Sequence, residues 1–402
     1  MDSNPLARAR GLTVVNEVNF PAPLEQAVSI REIVAAATGN ALEWFDFVIY
    51  GYFARVIAKV FFRAAAPVGS VLMATATFVV RPLGSLILGL YCDCAGRKTA
   101  LTLTVWLMMA GTALIAFVPS YQQAGWLGPA MLVSARMIQG LAASGEYGNT
   151  VTFLVGKAPA YRRCFYLSLQ MSTSMLAIVL GGAVGTLLTS SLSRAQLESW
   201  GWRVPFAIGL LIGPVGYYIR KNVSETEVFT HASVLPAREV IKRLFGEHLT
   251  TILSALGVTM IGTVAFYLNL VYMPTFAVGQ SAMPLSARFI STAIGGAVKV
   301  VMAPVSGLLS DTRVKPAALF SLAALALTFM AFPLYAWVIA WPLLQSLLIV
   351  QAIMAVPMGV ISGLIPSLVT HAFLTEIRSN GLALSYNIPT TLFGGFTPLI
   401  IT

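Results

Sequence analysis

Charge is scarce in this chain. Asp, Glu, Lys and Arg make up 10% of its 402 residues, hydrophobic residues make up 57%, and the mean hydropathy is +0.81. A soluble domain carries roughly a quarter charged residues, so the bilayer rather than water is the expected solvent. Cysteine is scarcer still, with only Cys92, Cys94 and Cys164. They cannot staple a disulfide scaffold. Cys92 and Cys94 lack zinc-ligand spacing and have no His near them, so all three read as small, free, apolar side chains. The histidines, His231, His248 and His371, are scattered, and no nucleophile elbow or phosphate loop accompanies them. That argues against an enzyme and against a metal or cofactor. A channel needs a ring of filter residues around its pore, and the duplicated hinge described below has no obvious use in one.

What is abundant is long apolar runs. A helix needs about 20 apolar residues to cross the hydrocarbon, and within it every backbone amide must pair internally. Eleven candidates fit: roughly 32–61, 68–92, 99–119, 128–157, 165–190, 203–220, 247–275, 287–309, 316–336, 342–371 and 379–402. The net charge of +10 would suit nucleic acid, but its distribution does not. Arg97, Lys98, Lys157, Arg162, Arg163, Arg220, Lys221, Arg238, Lys242, Arg243, Arg313, Lys315 and Arg378 fall in alternate loops. The opposite loops carry mainly Arg63, Arg194, Arg203 and Arg288. This asymmetry places the N-terminus in the cytoplasm. Residues 1–31 read as a cytoplasmic tail rather than a signal peptide. Residues 221–246 form the longest polar connection. It opens on a capping-box pattern from Ser224 to Glu227. Val240, Ile241, Leu244 and Phe245 then share a helical face beside Arg238, Lys242 and Arg243. An amphipathic helix on the anionic inner leaflet is expected there.

The chain also repeats itself. GLYCDCAGRKTAL, Gly89 to Leu101, lies between two apolar runs and returns in degraded form as GLLSDTRVKP, Gly307 to Pro316. Gly89 and Gly307 are 218 residues apart, as are Asp93 and Asp311, and the basic turns at Arg162 and Arg378 are 216 apart. Two copies of one membrane unit are expected, over 32–220 and 247–402. The first holds six spans, but only five fit in the second, so the twelfth helix is expected to be missing. Secondary transporters use such duplication to build a midplane site that faces either side in turn.

Ionisable groups at membrane depth cost about 2.5–3.5 kcal/mol each on insertion scales, so each marks a functional hypothesis. Glu43 and Asp46 lie three residues apart in the first span, on adjacent parts of one face with Asn40, Phe47 and Tyr50. Two carboxylates so close in low dielectric do not both ionise easily, which suits a proton carrier. The other reading is that one pairs with an Arg or Lys and ties helices together. The fourth span carries Arg136, Gln139, Glu146 and Asn149, with Gly145 and Gly148 admitting a helix or a ligand beside Glu146. Arg136 is placed to pair with Asp46 or Glu43. Arg81 precedes Pro82 in the second span, and Lys299 sits near the middle of the eighth, too deep to snorkel easily. Lys299 needs a counter-charge, water or an anionic ligand. Arg81 or Arg136 converging with Lys299 on a central cavity would suit a carboxylate. Gln170, Tyr267, Asn269, Gln351 and Asn387 are polar groups within spans, each serving either an interhelical hydrogen bond or a ligand.

At these residues the chain resembles a known family. GLYCDCAGRKTAL is similar to the loop signature of the major facilitator superfamily, G-x-L-A-D-R-x-G-R-[RK], with Cys94 in place of its Arg. Leu132, Arg136, Gln139 and Gly140 match its fourth-helix signature. GNALEWFDFVIYGYFA at 39–54, RMIQGLAASGEYGN at 136–149 and GWRVPFAIGLLIGPVGYYIRKNVSETEVF at 201–229 look like the metabolite:proton symporter family. That family includes citrate, 2-oxoglutarate, shikimate and proline/betaine carriers. The resemblance implies the major facilitator fold, two pseudo-symmetric six-helix bundles with alternating access, in a bacterial inner membrane. It implies that Gly89, Asp93, Gly96, Arg97 and Lys98 form a gate hinge, with Asp311 as partial counterpart, and that Arg136 takes part in proton coupling. The expected activity is proton symport of a small organic acid, such as the di- or tricarboxylate citrate. Glu43, Asp46, Arg136 and Glu146 would couple the proton. Arg81, Gln139, Asn149, Gln170, Lys299 and Tyr50 would hold the substrate. Trp44, Phe45, Phe47 and Tyr50 crowd the first span, so a proline or betaine carrier with an aromatic cage is the alternative. A sensor that kept the carrier fold is another. The expected partners are the substrate, protons and the bilayer, in a monomer.

Overall fold

The computed structural model describes residues 30–62, 75–221, 236–280, 286–375 and 377–395. The tail before residue 30, the Ser224 to Glu227 motif and the last residues from 396 onward lie outside them. Within the described residues, all regular structure is helical. Eleven helices follow the eleven apolar runs: α1 (Ile30–Phe62), α2 (Arg81–Ala95), α3 (Arg97–Phe117), α4 (Leu127–Lys157), α5 (Arg163–Ser191), α6 (Val204–Lys221), α7 (Leu249–Phe266), α8 (Ser286–Thr312), α9 (Pro316–Ala340), α10 (Leu344–Thr370) and α11 (Arg378–Pro389). Among the described residues, seven helical stretches taken singly are long and apolar enough to cross a bilayer. They are α3, α5, α8, α9, α10, the stretch Thr75–Ala95 that ends in α2, and the stretch Leu249–Ala277 that begins with α7. α1 and α4 are outside that set because they carry buried ionisable residues, which are tolerated where neighbouring helices screen them from lipid.

Local chemistry explains several boundaries. Gly96 separates α2 from α3 at φ 97°, a left-handed conformation that a side chain would strain, so the Gly of the signature is a backbone requirement. Pro82 and Pro316 sit in the first turns of α2 and α9, where the missing N–H has no helical partner to lose. α7 loosens into π turns over Tyr267–Tyr272 before continuing as a helix over Met273–Gln280. The Asn269 carbonyl within those turns is met by Gln351 Nε2 of α10 at 2.6 Å. α11 likewise passes into π turns over Thr390–Gly395. Such turns favour functional sites, and both of these border the cavity described below.

α1 packs on α5 and α6, α3 on α4 and α6, and α2 on α4; among the later helices α10 packs on α7, α8 and α9. The two groups meet along two seams, α5 with α8 and α11 with α2 and α4. α10 is deeply buried, whereas α9 turns Leu322, Leu325, Phe329 and Phe332 outward. An apolar stripe of that size is at home in lipid rather than water. In the connection before α7, the expected single apolar face is divided. Val240 and Leu244 are buried against the body while Ile241 and Phe245 are exposed, because the helix Ala237–Lys242 gives way to π turns at Arg243.

Both ends of the interface are closed. At one end Asp93 accepts from Asn380 Nδ2 at 2.6 Å, and Asp311 accepts from the backbone amides of Cys164 and Phe165 at 2.9 Å each. At the other end Thr391 donates to the Phe78 carbonyl at 3.0 Å, and the rings of Tyr52 and Phe289 meet at 4.7 Å.

Candidate functional site

Between these closures lies a cavity shared by both helical groups. Trp44 of α1 and Met171 and Met175 of α5 line one side. Thr259, Thr263 and Phe266 of α7, Tyr267, Lys299 of α8, Ser362 of α10, Tyr386 of α11 and Thr390 line the other. Its volume is about 40 Å³, room for water rather than for an organic acid, so a ligand must widen it. Lys299 is 2% exposed, and its ammonium lies 5.1 Å from the centre of the Phe266 ring. Among the described residues no carboxylate lies within ion-pair distance of it. The Tyr267 hydroxyl is buried without a hydrogen-bond partner. Thr259, Thr263 and Ser362 spend their hydroxyl protons on carbonyls of their own helices. The cavity therefore presents one lysine, the phenols of Tyr267 and Tyr386 and several aromatic faces.

Behind Trp44, the expected carboxylate pair on α1 separates into two networks. Glu43 pairs with Arg81 Nη2 at 3.3 Å, and the Arg81 guanidinium lies 5.2 Å from the Phe78 ring. Asp46 turns to α3 and α4 instead, accepting from Thr112 Oγ1 and, at 3.0 Å, from Gln139 Nε2. Gln139 Oε1 accepts from Arg136 Nη1 at 2.7 Å, and Arg136 stacks 3.9 Å from the Tyr50 ring centre. Gln139 thus bridges Asp46 and Arg136. Glu146 accepts from Thr104 at 2.6 Å and Thr150 at 3.1 Å. It lines a second cavity, of about 10 Å³, together with Glu43.

Of the six residues expected to hold the substrate, only Lys299 borders the main cavity, joined there by Tyr267, for which a ligand is one of two readings. Arg81 and Arg136 do not converge on it with Lys299; each is engaged behind the α1 face. Gln170 clasps Asn40, donating to its Oδ1 at 3.0 Å while its carbonyl accepts from Asn40 Nδ2 at 2.7 Å. Asn149 accepts from Ser379 of α11 at 2.9 Å. Gly148 admits α11 and Gly145 admits Leu88 of α2, so the glycines beside Glu146 serve helix approach. Phe266 and Tyr386 had no signal in the sequence, since aromatic residues are common in apolar spans. Tyr386 is positioned by stacking on Tyr147 of α4, with ring centres 3.9 Å apart and planes 11° from parallel. Arg97 is buried in the first turn of α3 and Lys98 follows it, both at the Asp93 end. Among the described residues no disulfide joins the cysteines; Cys94 is exposed and the other two are buried.

Comparison with known proteins fits this arrangement. The model of the Major Facilitator Superfamily matches residues 36–396. A citrate-proton symporter of Klebsiella pneumoniae is 34% identical over 380 residues, covering 93% of this chain and 85% of the relative. A proline/betaine transporter of Salmonella typhimurium is 33% identical over 390 residues, covering 92% of this chain and 76% of the relative. The solved structure of the proton:xylose symporter XylE bound to 6-bromo-6-deoxy-D-glucose superposes with a TM-score of 0.74 at 17% identity, covering 92% of this chain and 88% of that one. The helices, the signature turn at Gly96 and these relatives agree: the chain belongs to the Major Facilitator Superfamily, within its metabolite:proton symporter family.

Proposed function

We propose that this membrane transporter, which is not an enzyme, carries a small organic acid together with protons, with citrate or a similar di- or tricarboxylate as substrate. The observation that carries the reading is Lys299, a buried cation without a carboxylate partner among the described residues, facing a cavity at the seam of two helical groups. A buried charge is stable only when paired or hydrogen-bonded, so an anion supplied from outside completes it. Citrate-proton symporters among the relatives support the substrate class. The bundles 32–220 and 247–402 rock about the cavity, as a monomer in a bacterial inner membrane. The end that carries Asp93 and Asp311 faces the cytoplasm, because Arg97, Lys98, Arg162, Arg163, Arg313, Lys315 and Arg378 gather there. The latches at Asp93 and Asp311 hold that end shut until substrate and proton together favour its opening. Glu43, Asp46, Arg136 and Glu146 serve the proton.

A second reading has a specific observation behind it. Trp44, Phe266, Tyr267 and Tyr386 border the cavity with a single lysine. Lys299 would take the one carboxylate of a betaine and the rings its quaternary ammonium. Proteoliposomes with an imposed pH gradient, inside alkaline, separate the readings. The proposal expects citrate accumulation that a protonophore abolishes. Accumulation of betaine without citrate would replace it by the second reading, and accumulation of neither would contradict both.

A further inference from the structure

We propose that Glu43 and the substrate compete for Arg81, so that one proton on Glu43 is exchanged for one substrate carboxylate on the guanidinium. This rests on the reading of the Lys299 cavity as an organic-acid site and adds what sets its selectivity. Arg81 is 3% exposed and, among the described residues, its only ion pair is the 3.3 Å contact with Glu43 Oε1. Charge-assisted bonds are ordinarily about 2.7–2.9 Å and arginine favours two-pronged pairing with carboxylates. This contact is long and single, and Nε of Arg81 is buried with no hydrogen-bond partner. A permanent tie between α1 and α2 would use the fork fully. The arginine is held, but with donors to spare.

Groups that line two cavities lie near the pair. Glu43 lines the small cavity of about 10 Å³ with Glu146 and Thr104, at the lower limit for one water and away from the substrate cavity. Glu146 faces it there, from α4. On the other side Tyr267 of the α7 stretch and Tyr386 of α11, which line the substrate cavity, lie within electrostatic reach of both Arg81 and Glu43. Arg136 stands beyond Arg81, tied to Gln139 and flanked by Asp46. No cation other than Arg81 contacts the Glu43 carboxylate among the described residues.

The exchange balances without any other reactant. A proton binds the Glu43 carboxylate and makes it a neutral acid. Arg81 keeps its charge, loses its counter-ion and, once the cavity has widened past the α1 face to reach it, takes the second carboxylate of a substrate whose first lies on Lys299. When the proton leaves, Glu43 recovers its charge and displaces that carboxylate. A monocarboxylate uses Lys299 alone and leaves the pair closed, so its binding takes up no proton at this site. Selectivity for di- and tricarboxylates and proton coupling are then one device.

Dissociation constants of citrate and of a monocarboxylate, measured on purified protein above the last ionisation of either acid, test this. For the unaltered protein, citrate binding weakens about tenfold more per pH unit than monocarboxylate binding, the difference made by a single linked proton, because any protonation of the shared Lys299 enters both curves alike. Glu43→Gln removes the excess dependence of citrate over the monocarboxylate and binds citrate more tightly than the unaltered protein does at high pH. An equal pH dependence for citrate in Glu43→Gln overturns the proposal. If that variant does not fold, proton uptake on binding by the unaltered protein in weakly buffered solution decides. One proton more with citrate than with the monocarboxylate supports the exchange, and equal uptake with both overturns it. Citrate binding whose pH dependence follows the proposal but survives Lys299→Met would overturn the Lys299 site while leaving the Arg81 exchange standing.

Discussion

Asp93 of α2 and Asn380 of α11 are joined by a 2.6 Å hydrogen bond that closes one end of the seam between the two helical groups. The same construction recurs across the other seam, where Asp311 of α8 accepts from the backbone amides of Cys164 and Phe165. Asp93 and Asp311 are 218 residues apart, and their partners Cys164 and Asn380 are 216 apart. Each copy of the repeat thus contributes an aspartate that receives the start of a helix from the other copy. At α5 the carboxylate caps free amides at the positive end of the helix dipole, which strengthens the bond.

Removing the charge at Asp311 loosens this closure. In a Cys94→Ser background, which removes the exposed thiol, Asp311→Asn raises the rate at which a polar maleimide labels buried Cys164 by severalfold. The asparagine keeps one acceptor but cannot receive both amides with a charge-assisted bond, a loss of about 1.5–3 kcal/mol. An unchanged rate would show that the latch does not hold this end.

The glycine of the repeat is tested separately. A methyl group on Gly307 would stand 2.7 Å from the Cys164 carbonyl oxygen and from Phe165 Cα, both backbone atoms that cannot move aside locally. Gly307→Ala therefore disfavours the closed arrangement by about 1–3 kcal/mol, and shifts Cys164 labelling in the same direction as Asp311→Asn. Labelling equal to that of the unaltered chain would contradict the close packing of α8 on α5.

Much of this was legible in the sequence, for reasons that differ residue by residue. The spans are legible because hydrocarbon forces helices on apolar runs, and the repeat of Asp93 and Asp311 at a fixed offset points to paired hinges. Lys299 was read from depth alone. Orientation was not legible. Gln170 and Asn149 are as polar as any ligand-binding residue, and only packing shows that they face Asn40 and Ser379. The separation of Glu43 from Asp46 is also tertiary: three residues on a helix leave each free to turn to a different neighbour, Arg81 or Thr112. Tyr386 became visible only once α11 met α4.

Lys299 costs the resting protein stability, since no anion among the described residues compensates it. Lys299→Met keeps the volume and removes the desolvated charge. Without substrate, the variant melts at the same temperature as the unaltered protein or higher, by differential scanning fluorimetry. A fall of several degrees would indicate a stabilising partner and remove the argument for an anion site.

The central claim is that the cavity at Lys299 receives the substrate carboxylate, and calorimetric titration of citrate into purified protein tests it most directly. The account predicts saturable binding to the unaltered chain and a loss of affinity of about 100-fold or more in a folded Lys299→Met variant, the order expected when a buried charge pair loses one member. An unchanged dissociation constant in that variant would contradict it.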